Sequence, residues 1–156
     1  MASPRVYCGA MYSLLLRLSA LDTDAAGALR VIGFFDTLVE HHADVATVLR
    51  RTADLAEAPV GIRTADHSIS EVAEPGGHVR AGVPSAEARV HHLATGDEVW
   101  LERSGEPFPM DALLIERFAL AMAVALGARE QNLVELDATT LVQQALRPGL
   151  ETSDRR

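Results

Sequence analysis

The side chains with the most evident chemistry in this chain are its histidines, its arginines and its one tryptophan. The six histidines include two adjacent pairs, His41–His42 and His91–His92. Adjacent pairs invite a metal reading. Neighbours on a strand point to opposite faces, however, and neighbours on a helix diverge by ~100°, so neither pair closes readily on one ion. No Cys-rich or His-x-x-x-His spacing supports them, and His67 and His78 stand alone. His41 and His42 read instead as the end of a helix, where the dipole favours a partly charged imidazole. Nucleophilic catalysis has no better footing. The serines, among them Ser13, Ser68, Ser85 and Ser104, occur in no elbow or triad context. Gly76-Gly77 follows a proline and reads as a turn, not as a phosphate loop. The expectation is a chain with no catalytic centre, no metal and no cofactor.

What remains is a binding set. Two hairpins are legible, one turning through Glu74–Gly77 and one through Ala94–Asp97. Pro75-Gly76 at the centre of the first suits a type II turn. With these turns Val72 faces Val79 and Glu71 faces Arg80; His92 faces Val99, His91 faces Trp100, Val90 faces Leu101 and Arg89 faces Glu102. Each hairpin then has one apolar face and one face with an Arg–Glu pair. The polar face collects Arg63, Arg80, Arg89, His91 and Trp100. Two readings stay open for it. One is a solvated surface with cross-strand ion pairs, worth ~0.2–1 kcal/mol each; this is the reading surface charges favour by themselves. The other is a site for an anionic aromatic ligand, stacked on Trp100 and held by an arginine.

Composition narrows the class. A chain of 156 residues is one domain with room for a core. Its net charge of −8 argues against binding nucleic acid or an anionic membrane, since phosphate needs a basic surface. All 14 basic side chains are Arg, which removes Lys chemistry. The single Cys8 cannot form an internal disulfide, in keeping with a reducing, cytoplasmic setting. No apolar run reaches membrane-spanning length, and Arg17 interrupts the signal-like start.

The elements that must position the binding set follow from periodicity. Met11, Leu14, Leu15, Leu18 and Leu21 predict a helix over 11–21, behind a disordered extension at 1–10. Asp22-Thr23-Asp24 predicts a cap for a second helix to about 41, with a stripe of Leu29, Ile32, Phe35 and Val39 widened by Val31, Phe34 and Leu38. Asp44 predicts the cap of a third, with Val45, Val48, Leu49, Thr52, Leu55 and Ala56 inward and Pro59 beyond its end. Strands follow at 60–64, 68–82 and 88–103, with a connector at 81–87. A long helix starts near Asp111. Its Leu114, Ile115, Phe118, Ala119, Met122, Ala125 and Leu126 would pack on the sheet. Asp137 predicts a short last helix to about 146, before a disordered tail. The fold class expected is α+β, an antiparallel sheet of about four to five strands with N-terminal helices and a long C-terminal helix on one face. The long helix also carries Leu113, Leu120 and Val124 away from the sheet. Those residues, with Phe34 and Leu38, predict either a homodimer interface or intramolecular helix docking, the dimer being the better account of so apolar a back face.

The order helix–helix–strands–long helix has a likeness. "ALRVIGFFDTL", leading through an Ala-rich helix into a strand, and "VWLERSG" followed by "DALLIERFA" resemble the N-terminal GAF-like sensory domain of PucR/CdaR-type bacterial transcription regulators, over about residues 12–130. The resemblance implies a helix-flanked antiparallel sheet in a dimeric regulator that senses a small effector or relays a dimer rearrangement to a DNA-binding helix-turn-helix. It implies a GAF-like domain at 11–135 and a helix and tail at 136–156. Residues 81–88 leave no space for the extra strand and helix that often complete a GAF pocket. The helix-turn-helix itself is not in this sequence, which reads either as a fragment of a regulator or as a stand-alone interaction domain without a ligand.

Overall fold

The computed structural model describes the backbone of residues 6–145 and the side-chain surroundings of 23–135. The first five residues of the predicted extension, and residues 146–156 with the predicted tail, lie outside the described residues. In order the elements are α1 (Val6–Glu40), α2 (Val45–Ala56), β1 (Val60–Arg63), β2 (Ser70–Ala73), β3 (Val79–Ala81), β4 (Arg89–His92), β5 (Glu98–Leu101) and α3 (Asp111–Ala145). The class is α+β, as expected. Two of the expected breaks are absent. Helix α1 runs through Asp22-Thr23-Asp24 and already includes residues 6–10, and α3 runs through Asp137. An Asp or Thr caps a helix only where the backbone leaves helical geometry. Neither site has the Gly or Pro that would force it, and strong helix formers flank both. Asp44 does cap: its Oδ1 accepts from Thr47 N at 2.8 Å, and hydrogen bonding to Thr47, from its side chain first and its backbone second, lowers the Asp44 pKa. Inside α2 the buried set includes Ala53, while Leu55 is exposed, contrary to expectation.

The sheet is antiparallel throughout, in the order β3-β2-β1-β5-β4. Helices α2 and α3 cover one face, and α1 packs on α3. The core lies between them. It joins Val60, Ile62, Val99 and Leu101 from the sheet to Leu49 from α2 and to Phe118 and Met122 from α3. Every side chain of α3 predicted to face the sheet is buried or packed against this core. On α1 the packed residues are Val31 and Phe35, flanked by Phe34 and Leu38; Leu29 and Val39, expected in the stripe, are exposed. Gly27 sits beside Met110, and Leu38 shares a small cavity with Ala121 and Val124, so α1 and α3 run parallel.

Both hairpins differ from the expected register by one residue. Val79 pairs with Ala73 and Arg80 with Val72; His91 pairs with Val99, Val90 with Trp100 and Arg89 with Leu101. At 93–97 the cause is Gly96. Its φ of +88° and the bond from Gly96 N to Leu93 O make a tight turn followed by a left-handed residue, which inserts one position into the strand. At 74–78 the turn closes as expected through Gly77 N to Glu74 O, with Gly76 at φ +63°, but His78 adds a residue before pairing begins. Because side chains alternate, the shift moves Arg89 and His91 to the helix side of the edge strand.

Consecutive strands β3 and β4 occupy opposite edges, so residues 82–88 must cross the sheet. They cross the face away from the helices. Ser70 Oγ donates to Gly82 O at 2.7 Å, the Gly82 backbone presses on Val72, and Ser85 N donates to Glu102 Oε1 at 3.0 Å. Under this strap Val72 and Trp100 are buried, Trp100 at 0% exposure. The face expected to carry water thus holds a second, smaller apolar layer. Its indole lies directly over Gly61, the residue paired with it on β1.

One ion pair ties the ends of three elements. Arg103, just past β5, donates to both carboxylate oxygens of Asp111 at 2.8 Å and to Ala56 O at the end of α2 at 2.9 Å. Phe108 N also donates to Asp111, and the guanidinium lies 4.1 Å from the centre of the Phe108 ring. Asp111 is buried and opens α3.

Two substitutions test this architecture by chemical denaturation. A Cβ at Gly61 would fall 2.1–2.7 Å from the Trp100 ring, so Gly61→Ala is expected to cost about 1–3 kcal/mol by overpacking. Asp111→Ala leaves a largely buried guanidinium without its partner and is expected to cost about 3–5 kcal/mol.

Candidate functional site

The five residues expected to form one polar surface are divided among three places. Arg63 and Arg80 do face away from the helices, but each is matched to a carboxylate. Arg63 Nε donates to Glu98 Oε2 at 3.0 Å and its terminal nitrogen bonds the same oxygen; Arg80 pairs with Glu74 at 2.8 Å. His92 Nδ1 approaches the other oxygen of Glu98 at 3.3 Å. Arg89 and His91 are on the helix side. Trp100 is enclosed and presents no ring face to a ligand, and its Nε1 has no hydrogen-bond partner among the described residues. Among the described residues the expected cross-strand pairs Glu71–Arg80 and Arg89–Glu102 do not form, because the register shift separates them; Arg63–Glu98 and Arg80–Glu74 stand in their place, and the buried Trp100 offers no stacking platform.

The concavity lies elsewhere, along α3. A cleft of about 440 Å³ opens between the β4–β5 loop and α3, with Leu93, Ala119, Leu120 and Ala123 as its apolar wall and His91 and Glu116 at the rim. A second, of about 560 Å³, continues it past Gly127 to Leu133 and is bounded by the tips of the β1–β2 and β4–β5 loops. The two share Thr95 and Ala123. Together they form one groove from Glu116 to Leu133, about 25 Å along the helix axis at ~1.5 Å per residue. Its apolar wall is bare at Leu120, 60% exposed, and at Leu133, while Val124, 48% exposed, stands on the adjoining ridge of α3 toward the small cavity it shares with Leu38. Of the residues predicted at an interface, Leu120 lines the groove and Val124 is exposed beside it. Leu113, Phe34 and Leu38 are half-buried against the chain's own core.

The loop-tip wall is acidic, and the sequence did not single it out. Asp97 accepts from Ala65 N at 2.9 Å, joining the two tips, and from Thr95 Oγ1. Asp66 accepts from Thr64 Oγ1 at 2.6 Å and from Ser68 N at 3.0 Å. These bonds, that from Thr64 foremost, hold the exposed Asp66 carboxyl at a pKa of about 2. Only a register linking β1 to β5 brings residues 65 and 97 together, and no local pattern announces that. Among the described residues no group of three or more His, Cys, Asp or Glu could hold a metal ion, and no helix is long and apolar enough to cross a membrane. What the arrangement can do is bind: an elongated apolar floor with a negatively charged wall.

The depressed Asp66 pKa has a definite sign. Its contribution to turn stability is present above the unfolded value of 3.8 and is lost as pH falls through about 2. A carbon-detected NMR titration is expected to place the Asp66 midpoint near 2, and Thr64→Val is expected to move it up toward 3.8. Comparison with known protein families, curated proteins and solved structures finds no match to this chain, so the reading of the groove rests on its own geometry.

Proposed function

We propose that this chain is a non-catalytic sensory and dimerisation module, resembling the regulatory GAF-like domain of a PucR/CdaR-type transcription regulator and working in the cytoplasm as a homodimer. The observation that carries the reading is the uncovered apolar ridge of α3 beside the groove. A helix that already buries one face on a sheet and a flank on α1 still presents Leu120 and Val124 to water. Contiguous exposed apolar surface of this kind marks an interaction site. The helix–sheet–helix order supports the family likeness, and the net charge of −8 opposes direct contact with nucleic acid or an anionic membrane. In a regulator of this type the output would be a change in how the long helices of two copies sit together.

A second reading, a protein–protein interaction domain without a small-molecule ligand, has its own support. Trp100 fills the space beneath the strap on the sheet face away from the helices. Any effector would then bind in the groove near His91 and Leu93, where the 440 Å³ cleft lies.

Sedimentation velocity at micromolar concentration is expected to show a dimer. Leu120→Glu is expected to raise the dissociation constant at least ~30-fold, about 2 kcal/mol, with the far-UV spectrum unchanged. Thermal shift against purines, acyl-CoAs and aromatic acids separates the two readings. A concentration-dependent rise in the midpoint supports the sensor, and no shift with dimerisation intact supports the interaction domain.

A further inference from the structure

We infer that α3 of a second copy of this chain lies along the uncovered ridge of α3 that borders the groove, antiparallel to the first about a two-fold axis near Met122. This rests on the dimer reading above and adds its geometry. The side of α3 turned away from the sheet carries a stripe stepping alternately by four and three residues, the spacing of a two-helix seam: Leu113, half-buried, then Leu120, Val124 and Val134, all exposed, with Arg117, Gly127 and Gln131 between. The groove running beside it has the length of several helical turns.

The members of the stripe decide the direction. In a parallel pair each residue meets its own copy. Arg117 would face Arg117 and Gly127 would face Gly127, so a repulsion and a void would sit three steps apart. In an antiparallel pair centred near Met122, Leu120 meets Val124 of the second copy twice over, once on each side of the axis. Arg117 meets Gly127. The missing side chain leaves room for the long one, and the surrounding wall carries Asp66, Asp97 and Glu130 against the single cation Arg129. Among the described residues Arg117 has no ion-pair partner within its own chain. Size and charge are therefore complementary in one direction and conflicting in the other. The antiparallel contact is isologous and closes on itself, which limits assembly to two copies.

Disulfide trapping tests this in the full chain with Cys8 replaced by Ser. Leu120→Cys and Val124→Cys chains of different mass are mixed and oxidised. The expected product is the mixed 120–124 dimer, in excess over either self-linked dimer, because a disulfide needs the two Cα atoms within ~4.4–6.8 Å. Val134→Cys is expected not to self-link, since the two copies of residue 134 would lie about 36 Å apart. A strong 134–134 disulfide would overturn the antiparallel arrangement and leave the dimer standing. A dimer by sedimentation with no cross-link at any of the three positions would place the interface elsewhere and overturn the inference. A monomer would remove the dimer reading and this inference together. Arg117→Glu is expected to weaken the dimer, and adding Asp97→Arg to restore part of the loss; failure of that rescue would remove the charge argument.

Discussion

The arrangement of the chain hangs on the bidentate contact between Arg103 and Asp111. It is made where three elements meet: the exit of β5, the first residue of α3 and the last carbonyl of α2. A buried pair of this kind is weak evidence for net stability, because desolvation offsets much of the Coulomb attraction. Its value is positional. The guanidinium fork accepts one geometry, and that geometry sets where α3 starts relative to the sheet. Once the start is set, the rotation of α3 on the sheet is set with it, so that Ala119, Leu120 and Ala123 come out beside the β4–β5 loop. The groove is a downstream consequence of one residue pair near the opposite end of the helix.

The second organising feature is the crossing of 82–88. A sheet covered by helices on one face ordinarily leaves the other to water, and alternation along a strand then reads apolar-in, polar-out. Here a short strap takes the place of a covering layer. It buries Val72 and Trp100, while Arg63, Glu98 and His92 keep a polar rim at one end. The far face is thus half core and half surface. Space that a larger insertion would leave for a ligand is occupied by an indole, and ligand-sized concavity appears between the sheet edge and α3 instead.

The element types were legible from the chain alone, and so was the inward face of α3, because helical periodicity over many residues is a redundant signal. The faces of β5 were also legible: Val99 and Leu101 share a side whatever the strand pairs with. Register was a different matter. It depended on a single left-handed residue, Gly96, and on whether His78 belonged to the turn or to the strand. A one-residue error there sent Arg89 and His91 to the wrong side. The exposure of Leu120 and Val124 followed from counting along the helix. The acidic wall did not, since Asp66 and Asp97 meet only through the pairing of β1 with β5. Nor could local pattern show that β4 joins the edge remote from β3, and without that crossing Trp100 looks like a surface residue.

Gly61 and Trp100 form a lock of unequal halves. The largest side chain in the protein lies flat across the only residue of β1 with none, so neither position is free to drift by itself. An ancestor or descendant carrying a methyl or larger group at 61 would have to trade the tryptophan for something smaller, and one that lost the tryptophan would open a hollow under the strap. Such a hollow would sit on the sheet face that is sealed here. Two linked changes could therefore convert this chain from one whose far sheet face is closed into one with a chamber beneath the strap, leaving its helices and their seam untouched.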